Sequence, residues 1–427
     1  MRRKNAYLTP TPPETVETSE MALPLSHIRV LDLSRVLAGP LATQHLADMG
    51  AEVIKVERPG EGDDTRGWGP PFAVPPQDGV PGISAYFMCV NRGKKSVTID
   101  ITKPDGRALL YALAKTSDVM VENFKVGGLE KHGLDYAAIK AVNPAIVYCS
   151  ITGFGQTGPY AQRAGYDFVV QGMGGLMSIT GRPEGQPGDE PMKVGVAISD
   201  EMAGMHALAG ILSALVRRER TGEGAYIDVA LLDVTVASLI NQASSYLVSG
   251  KVPGRLGNAH PTIVPYETFA TRDGHIILAI GNDGQFARFC QAAELPELIA
   301  DERFAINSRR IANRPRLVEI LAARFRQNDS AYWIGLLESR AVPCGPINRI
   351  DQVFADPQVV ARGMQRVLTE GQAQPLPVVS NPVRMAGVDT TAAKAPPLLG
   401  EDTRAVLETV LGLSVARIEQ LKAAGVV

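Results

Sequence analysis

Cysteine is scarce. Cys89, Cys149, Cys290 and Cys344 are the only four in 427 residues, widely spaced and with no CxxC pair. That pattern excludes a secreted disulfide framework and a cysteine-based zinc site, and it fits a reducing compartment, cytoplasmic or matrix-like. The six histidines (His27, His45, His132, His206, His260, His275) form no HxxxH pair, so no metal is expected. Excess charge is also missing. Forty-three Lys and Arg against forty-five Asp and Glu leave a formal charge of −2. No global field favours nucleic acid, and no polybasic block suggests a membrane surface. No apolar run approaches the ~18–20 residues that span a bilayer. The opening MRRKNAYLTPTPPETVETSE lacks the apolar core of a signal peptide, and its Pro and Glu suit a mitochondrial presequence poorly. Residues 1–24 read as a disordered tail, with Met21 a second candidate start.

What is present alternates strand and helix. The segment from His27 to Ser34 suits a buried strand. Gly39-Pro40 follows, then LATQHLADMG, helical in the spacing of Leu41, His45, Leu46 and Met49, with Gly50 as its stop. Ala51 to Glu57 is a second strand, and a βαβ unit implies a parallel sheet. SVTIDI (96–101), DVMVENF (118–124) and AIVYCSITG (145–153) read as further strands. PDGRALLYALAKT (104–116) and the stretch from Ser199 to Arg218 read as helices. An α/β domain to about residue 222 is expected. A strand leading into one long helix follows, from Ala225 to Gly250. A smaller α+β region over 223–354 then contains a hairpin, YETFATRDGHIILAIG, turning at Asp273-Gly274.

A nicotinamide enzyme would need a GxGxxG turn after the first strand. Here that turn reads Ser34-Arg35-Val36-Leu37-Ala38-Gly39-Pro40, with one glycine and two bulky side chains. The dehydrogenase reading loses its one specific requirement, although the helix N-terminus can still favour an anion. On residue chemistry alone, Asp167 reads as a cap for the helix that follows Tyr166.

Ordered motifs change that reading. They are Arg35-Val36-Leu37-Ala38-Gly39-Pro40, Gly50-Ala51-Glu52-Val53-Ile54-Lys55-Val56-Glu57-Arg58-Pro59-Gly60 and Gly62-Asp63-Asp64-Thr65-Arg66, then Asn91-Arg92-Gly93-Lys94-Lys95-Ser96 and Val121-Glu122-Asn123-Phe124. Thr152-Gly153-Phe154-Gly155, Gly165-Tyr166-Asp167, Asp228-Val229-Ala230 and Pro396-Pro397-Leu398-Leu399-Gly400 complete them. From about residue 27 to the C-terminus the chain resembles the family III CoA-transferases. GDDTRGWGPPF, SITGFGQTGP and AHPTIVPY resemble the branch that moves CoA between dicarboxylates.

The resemblance implies a fold, a reaction and a site. The fold is a large doubly wound, Rossmann-like α/β domain built from 25–222 and 355–427, with 223–354 as an inserted α+β domain. The partner is a second copy, in an interlocked homodimer. No cofactor is held permanently; CoA and acyl-CoA are substrates, with succinyl-CoA as donor and a small dicarboxylic acid such as glutarate as acceptor. Asp167 is implied as the nucleophile, passing through a mixed anhydride and an aspartyl-CoA thioester. Glycines in Gln171-Gly172-Met173-Gly174-Gly175 would let amides approach a developing oxyanion. The CoA contacts implied are Leu37, Ala38, Arg58, Ile99, Thr102, Asn123, Phe124, Lys131, Gly153 and Phe154. Thr102 and Phe154 stand where the oxalate branch has a lysine and a tyrosine, which counts against oxalate. A remote substrate carboxylate calls for a guanidinium or imidazole; Arg66, Arg163 and His260 are the candidates. Two alternatives stay open: an α-methylacyl-CoA racemase using His132, Asp167 and Glu201, and a non-catalytic CoA-binding protein.

Overall fold

The computed structural model describes residues 22–371 and 374–427. The tail expected over 1–24 lies outside the described residues as far as residue 21. Its last residues are docked: the Leu25 amide donates to the Met49 carbonyl at 2.9 Å, and Leu23 packs where a Cβ on Gly50 would fall.

Six parallel strands form the main sheet: β1 (Arg29–Asp32), β2 (Glu52–Glu57), β3 (Lys94–Thr98), β4 (Val119–Glu122), β5 (Val147–Thr152) and β6 (Ala225–Ala230). Their order is β3-β2-β1-β4-β5-β6, the arrangement of doubly wound folds, with the switch point between β1 and β4. Alternate residues serve opposite faces. Val30, Val53, Val119 and Val121 join one core, whereas Leu31, Ile54 and Met120 join the other. Burial on both faces is why β1 and β4 carry consecutive apolar residues, Val30-Leu31 and Val119-Met120-Val121.

The first face is covered by α1 (Ala38–Asp48) and, further along the chain, the long helix α4 (Ile198–Thr221). Small buried residues Ala203, Gly204 and Ala207 let α4 press on α1. A Cβ on Gly204 would lie 2.6 Å from the Ala38 carbonyl oxygen. The second face takes α2 (Pro104–Lys115) and the chain's end, where Val406, Leu407, Ile418 and Leu421 enter the same core as Leu31 and Ile54. The C-terminal segment therefore returns to the sheet. Strand β6 belongs to this sheet as well, so the sheet runs past residue 222. The reason is pairing: β6 completes its ladder on β5, from Val147 with Ala225 to Thr152 with Ala230.

Two further differences from the sequence reading are local. The long helix expected after β6 is two helices, α5 (Leu231–Ala237) and α6 (Ile240–Ser249), broken at Ile240, whose φ is +42°. The hairpin is present as β7 (Tyr266–Ala270) and β8 (His275–Ala279), and a third strand, β9 (Cys344–Pro346), pairs with β8. Phe269, Phe289, Phe325 and Trp333 form a separate core there. Among the described residues no helix is long and apolar enough to cross a membrane.

Candidate active site

Asp167 opens α3 (Asp167–Met173), but it does not cap it; Tyr166 occupies the cap position with no side-chain bond. The carboxylate is held from two directions. Oδ2 accepts from Nε2 of Gln171, one turn along, at 2.8 Å, and Oδ1 accepts from the backbone amide of Ser199 at 2.8 Å. Ser199 lies in the first turn of α4, so Asp167 satisfies one of the open amides of a different helix. Gln171 is fully buried, and its Oε1 is fixed by the Val194 amide at 2.9 Å. Ser199 is tied to α5 by Thr235, whose hydroxyl donates to the Ser199 hydroxyl at 2.8 Å. A partly exposed carboxylate with both oxygens oriented is placed as a nucleophile would need to be.

Three motifs join to place it. Gly153 and Gly165 meet backbone to backbone: a Cβ on either would come 2.4 Å from the other's Cα. The loop bearing Gly153 is fastened in turn. Gly155 donates to Thr152 Oγ1 at 2.9 Å, Gln156 donates through its amide to Asp228 Oδ2 at 3.0 Å, and Leu232 donates to the Gly153 carbonyl at 3.1 Å. Asp228 thus acts through the TGFG loop on the GYD segment.

The glycines after Gln171 do not serve an oxyanion. The Gly174 amide is spent on the Val170 carbonyl at 2.7 Å and the Gly175 amide on Gly172, closing the end of α3 away from Asp167. A Cβ on Gly174 would strike Thr235 Cγ2 at 2.6 Å. Gly174 is needed for helix packing.

A cavity of ≈ 700 Å3 opens at the carboxyl ends of β1, β2 and β4, where doubly wound folds take their ligands. Of the CoA contacts expected, Arg58, Ile99, Thr102 and Phe124 line it, with His132 on the far wall. Lys131 is exposed beside His132, whose imidazole is lowered by burial and then by Lys131 and Arg107. Asn123 has a different task. It donates to the Arg35 carbonyl at 2.7 Å and accepts from the Arg35 amide at 2.9 Å, lacing the loop after β4 to the loop after β1 across the switch point. Leu37 and Ala38 begin α1 outside the cavity lining, next to Val36, whose φ of +72° is strained for a β-branched residue. Its amide faces both oxygens of Asp63 at 3.3 Å. Gly153 and Phe154 are not cavity residues; Phe154 is buried against the ring of Tyr160.

Many signature residues form a buried ionic floor beneath this cavity. Lys55 donates to Asp63 at 2.9 Å and to the Ser34 carbonyl at 2.8 Å. Against the penalty of burial, Lys55 and the Thr65 amide hold the Asp63 carboxyl down at about 2. Lys94 reaches Asp32 at 3.1 Å and Asn91 at 2.9 Å, and Arg92 pairs with Asp48. The Gly400 amide donates to Ser96 Oγ at 2.8 Å, which explains the PPLLG segment. Breaking such a pair from one side leaves a buried charge and costs about 3–5 kcal/mol.

Arg66 belongs to that floor, which corrects its assignment to the substrate. It is buried, forks onto Glu57 through Nε and Nη2 at 2.7 Å each, donates to the Pro397 carbonyl at 3.1 Å and stacks on Phe87. No face of the guanidinium is left for a diacid. Arg163 is exposed, has no ion pair among the described residues, and lies over the rings of Tyr160 and Phe154. His260 lies beside the ring of Tyr266 at a tilt of 55°, and its Nδ1 accepts from the Thr262 amide at 3.2 Å. The racemase grouping is not assembled: the groups bonded to Asp167 are Gln171 and Ser199, Glu201 is exposed, and His132 sits in the cavity wall. Sequence reasoning missed Gln171 and Ser199 as anchors; the i, i+4 spacing of Asp167 and Gln171 was the available signal. Among the described residues no group of three or more His, Cys, Asp or Glu could hold a metal ion.

Comparison with known proteins agrees with this construction. Residues 25–403 match CoA-transferase family III. The chain is 50% identical over 384 residues to succinate–glutarate CoA-transferase of Agrobacterium fabrum, covering 90% of this chain and 95% of that one. It is 44% identical over 404 residues to human succinyl-CoA:glutarate CoA-transferase, covering 95% and 90%. A CAIB/BAIF family protein from Brucella suis has a similar structure, with a TM-score of 0.80 at 48% identity, covering 91% of this chain and 100% of that one. The chain belongs to CoA-transferase family III.

Proposed function

We propose that this enzyme moves CoA from succinyl-CoA to glutarate or a diacid of similar length, with Asp167 as the covalent carrier. The observation that carries the reading is the double grip on Asp167 by Gln171 and Ser199, in a chain so similar to enzymes named for succinate and glutarate. A carboxylate is a weak nucleophile, and orientation lowers its barrier most. Asp167 attacks the thioester carbon, the C–S bond breaks, and a mixed anhydride and CoA thiolate form. The thiolate attacks the Asp167 carbonyl, succinate leaves, and an aspartyl-CoA thioester remains. The acceptor carboxylate attacks this thioester, and the same steps in reverse yield the new acyl-CoA. Arg58 and Lys131 serve the CoA phosphates at the cavity rim, and Ile99, Thr102 and Phe124 flank the adenine end. Leu37, Ala38, Gly153 and Phe154 serve the pantetheine side. Arg163 and His260 are retained for the remote carboxylate.

The test is an acceptor panel. Succinyl-CoA plus glutarate should give glutaryl-CoA and succinate in equal amounts, with oxalate far slower. Absence of acceptor-dependent transfer to any short diacid would refute the reading. Deuterium entering the α-carbon without an acceptor would favour the racemase.

The working unit is a homodimer, interlocked as in the family. Around Asp167 the apolar side chains of Tyr166, Phe168, Met192 and Val196 are exposed, and α6 has no buried residue, with Val248 90% exposed. So much apolar surface beside a covalent site calls for a partner to cover it. Leu247→Asp combined with Val248→Asp should halve the mass seen by sedimentation and abolish transfer; an unchanged, active dimer would contradict this role for α6.

A further inference from the structure

Asp200 has no part in the reaction described so far. It stands next to Ser199, the residue whose amide grips Asp167, in the first turn of α4. One turn further, Gly204 lies against the Ala38 carbonyl. Residues i and i+4 share a helix face, and side chains lean towards the helix N-terminus. Asp200 is therefore set between the nucleophile and the Leu37–Ala38 end of α1. Among the described residues its carboxyl has no hydrogen-bond donor, and the one charge that acts on it is that of Asp167. From the Ala85–Met88 turn, Tyr86 faces Asp200 and Asp167, with Cys89 and Asp63 also near its phenol.

We propose that Asp200 is a catalytic acid–base residue that carries the proton of the CoA thiol while CoA is off its acyl group. This rests on the CoA-transfer reading. Asp167 must touch the thioester carbon, and the sulfur bonded to that carbon then lies within reach of Asp200. In the first step Asp167 forms its C–O bond, the C–S bond breaks, and the electron pair left on sulfur takes the proton of Asp200. The products are the mixed anhydride, CoA thiol and the Asp200 carboxylate. In the second step that carboxylate removes the thiol proton as sulfur attacks the Asp167 carbonyl, the carboxylate of succinate departs, and Asp200 is again neutral. No proton enters or leaves the site.

The electrostatics suit this cycle. Burial, and then the charge of Asp167, push the Asp200 carboxyl up to about 7. About half of it is therefore protonated when the free enzyme meets acyl-CoA at neutrality, and most of it at pH 6. Acylation removes the charge of Asp167, and with it one cause of the raised value, so Asp200 becomes a stronger acid as the thiolate appears. A group that acts as an acid with a raised value is lost as pH rises through it, so kcat/KM for succinyl-CoA should fall above about pH 7.

The test is the exchange of labelled succinate into succinyl-CoA from pH 5.5 to 9, for the wild type, Asp200→Asn and Asp200→Glu. The wild type should lose about tenfold per pH unit above its bend. Asp200→Asn should be about 100-fold slower at pH 6, without the bend, and Asp200→Glu should restore the bend with part of the rate. An Asp200→Asn enzyme that is fast or keeps the bend overturns the proposal. So does a wild-type profile flat between pH 6 and 8, which needs no variant to be folded. A wild type with no exchange at any pH would instead sink the CoA-transfer reading itself.

Discussion

Asp167→Asn should lower kcat by about 10^4-fold or more, removing roughly 5 kcal/mol of transition-state stabilisation. The replacement is chosen for what it keeps. An amide oxygen at Oδ1 still accepts from the Ser199 amide, so the first turn of α4 stays satisfied. What is lost is the anionic oxygen that must form the anhydride. Melting temperature should fall modestly, because the new Nδ2 faces Gln171 Nε2, donor against donor, and KM for succinyl-CoA should change far less than kcat, because the cavity proposed for CoA is lined by other loops. Asp167→Ala should be equally inactive but also less stable by about 1–3 kcal/mol, since it strands the Ser199 amide and Gln171 Nε2. Comparable activity loss with unequal stability loss would separate the chemical role from the structural one. Retained activity in either variant would remove Asp167 from the reaction.

Gly165→Ala tests how the nucleophile is placed. The added Cβ would sit 2.4 Å from Gly153 Cα and 3.3 Å from Phe154 Cε2. The obstacle is backbone, so the GYD segment must move, and displacement of about 1 Å costs on the order of 10^2-fold in rate. Stability should fall by about 1–3 kcal/mol. Gly153→Ala meets the same contact from the other side, so the double variant should lose less than the two single losses added together. Gly172→Ala is the control. Its nearest neighbour would be Met177 Sδ at 3.6 Å, an ordinary contact with a flexible side chain beyond the helix, and near-normal activity is expected. If Gly172→Ala were as damaging as Gly165→Ala, the oxyanion role expected of that glycine cluster would have to be restored.

These predictions show which parts of the molecule the sequence made legible. The strands were readable because a parallel sheet buried on both faces leaves consecutive apolar residues, as in Val119-Met120-Val121 of β4. The break between α5 and α6 was not, because Ser238-Leu239-Ile240 carries no Gly or Pro to mark the left-handed turn that Ile240 makes. Strand β6 was seen as a strand but placed in the wrong neighbourhood, since β-propensity says nothing about which partner a strand finds. The motifs located Asp167, but they could not separate ligand contacts from scaffold. Lys55, Arg66 and Lys94 are cations that a sequence cannot tell from anion ligands, and in the fold Asp63, Glu57 and Asp32 neutralise them. Arg66 was misjudged for that reason: a guanidinium near a site is indistinguishable in sequence from one already matched to a carboxylate. Asn123 is similar, its amide joining two loops across the switch point. Gln171 and Ser199 were hidden because one is an ordinary polar residue at helical spacing and the other contributes only its backbone.

The most direct measurement is to incubate the enzyme with succinyl-CoA and no acceptor, quench with hydroxylamine, and map the modified residue by peptide mass spectrometry. The account predicts a single hydroxamate at Asp167, absent from Asp167→Asn and suppressed when glutarate is added before the quench. A hydroxamate on any other carboxylate, or no trapped intermediate while transfer proceeds, would contradict it.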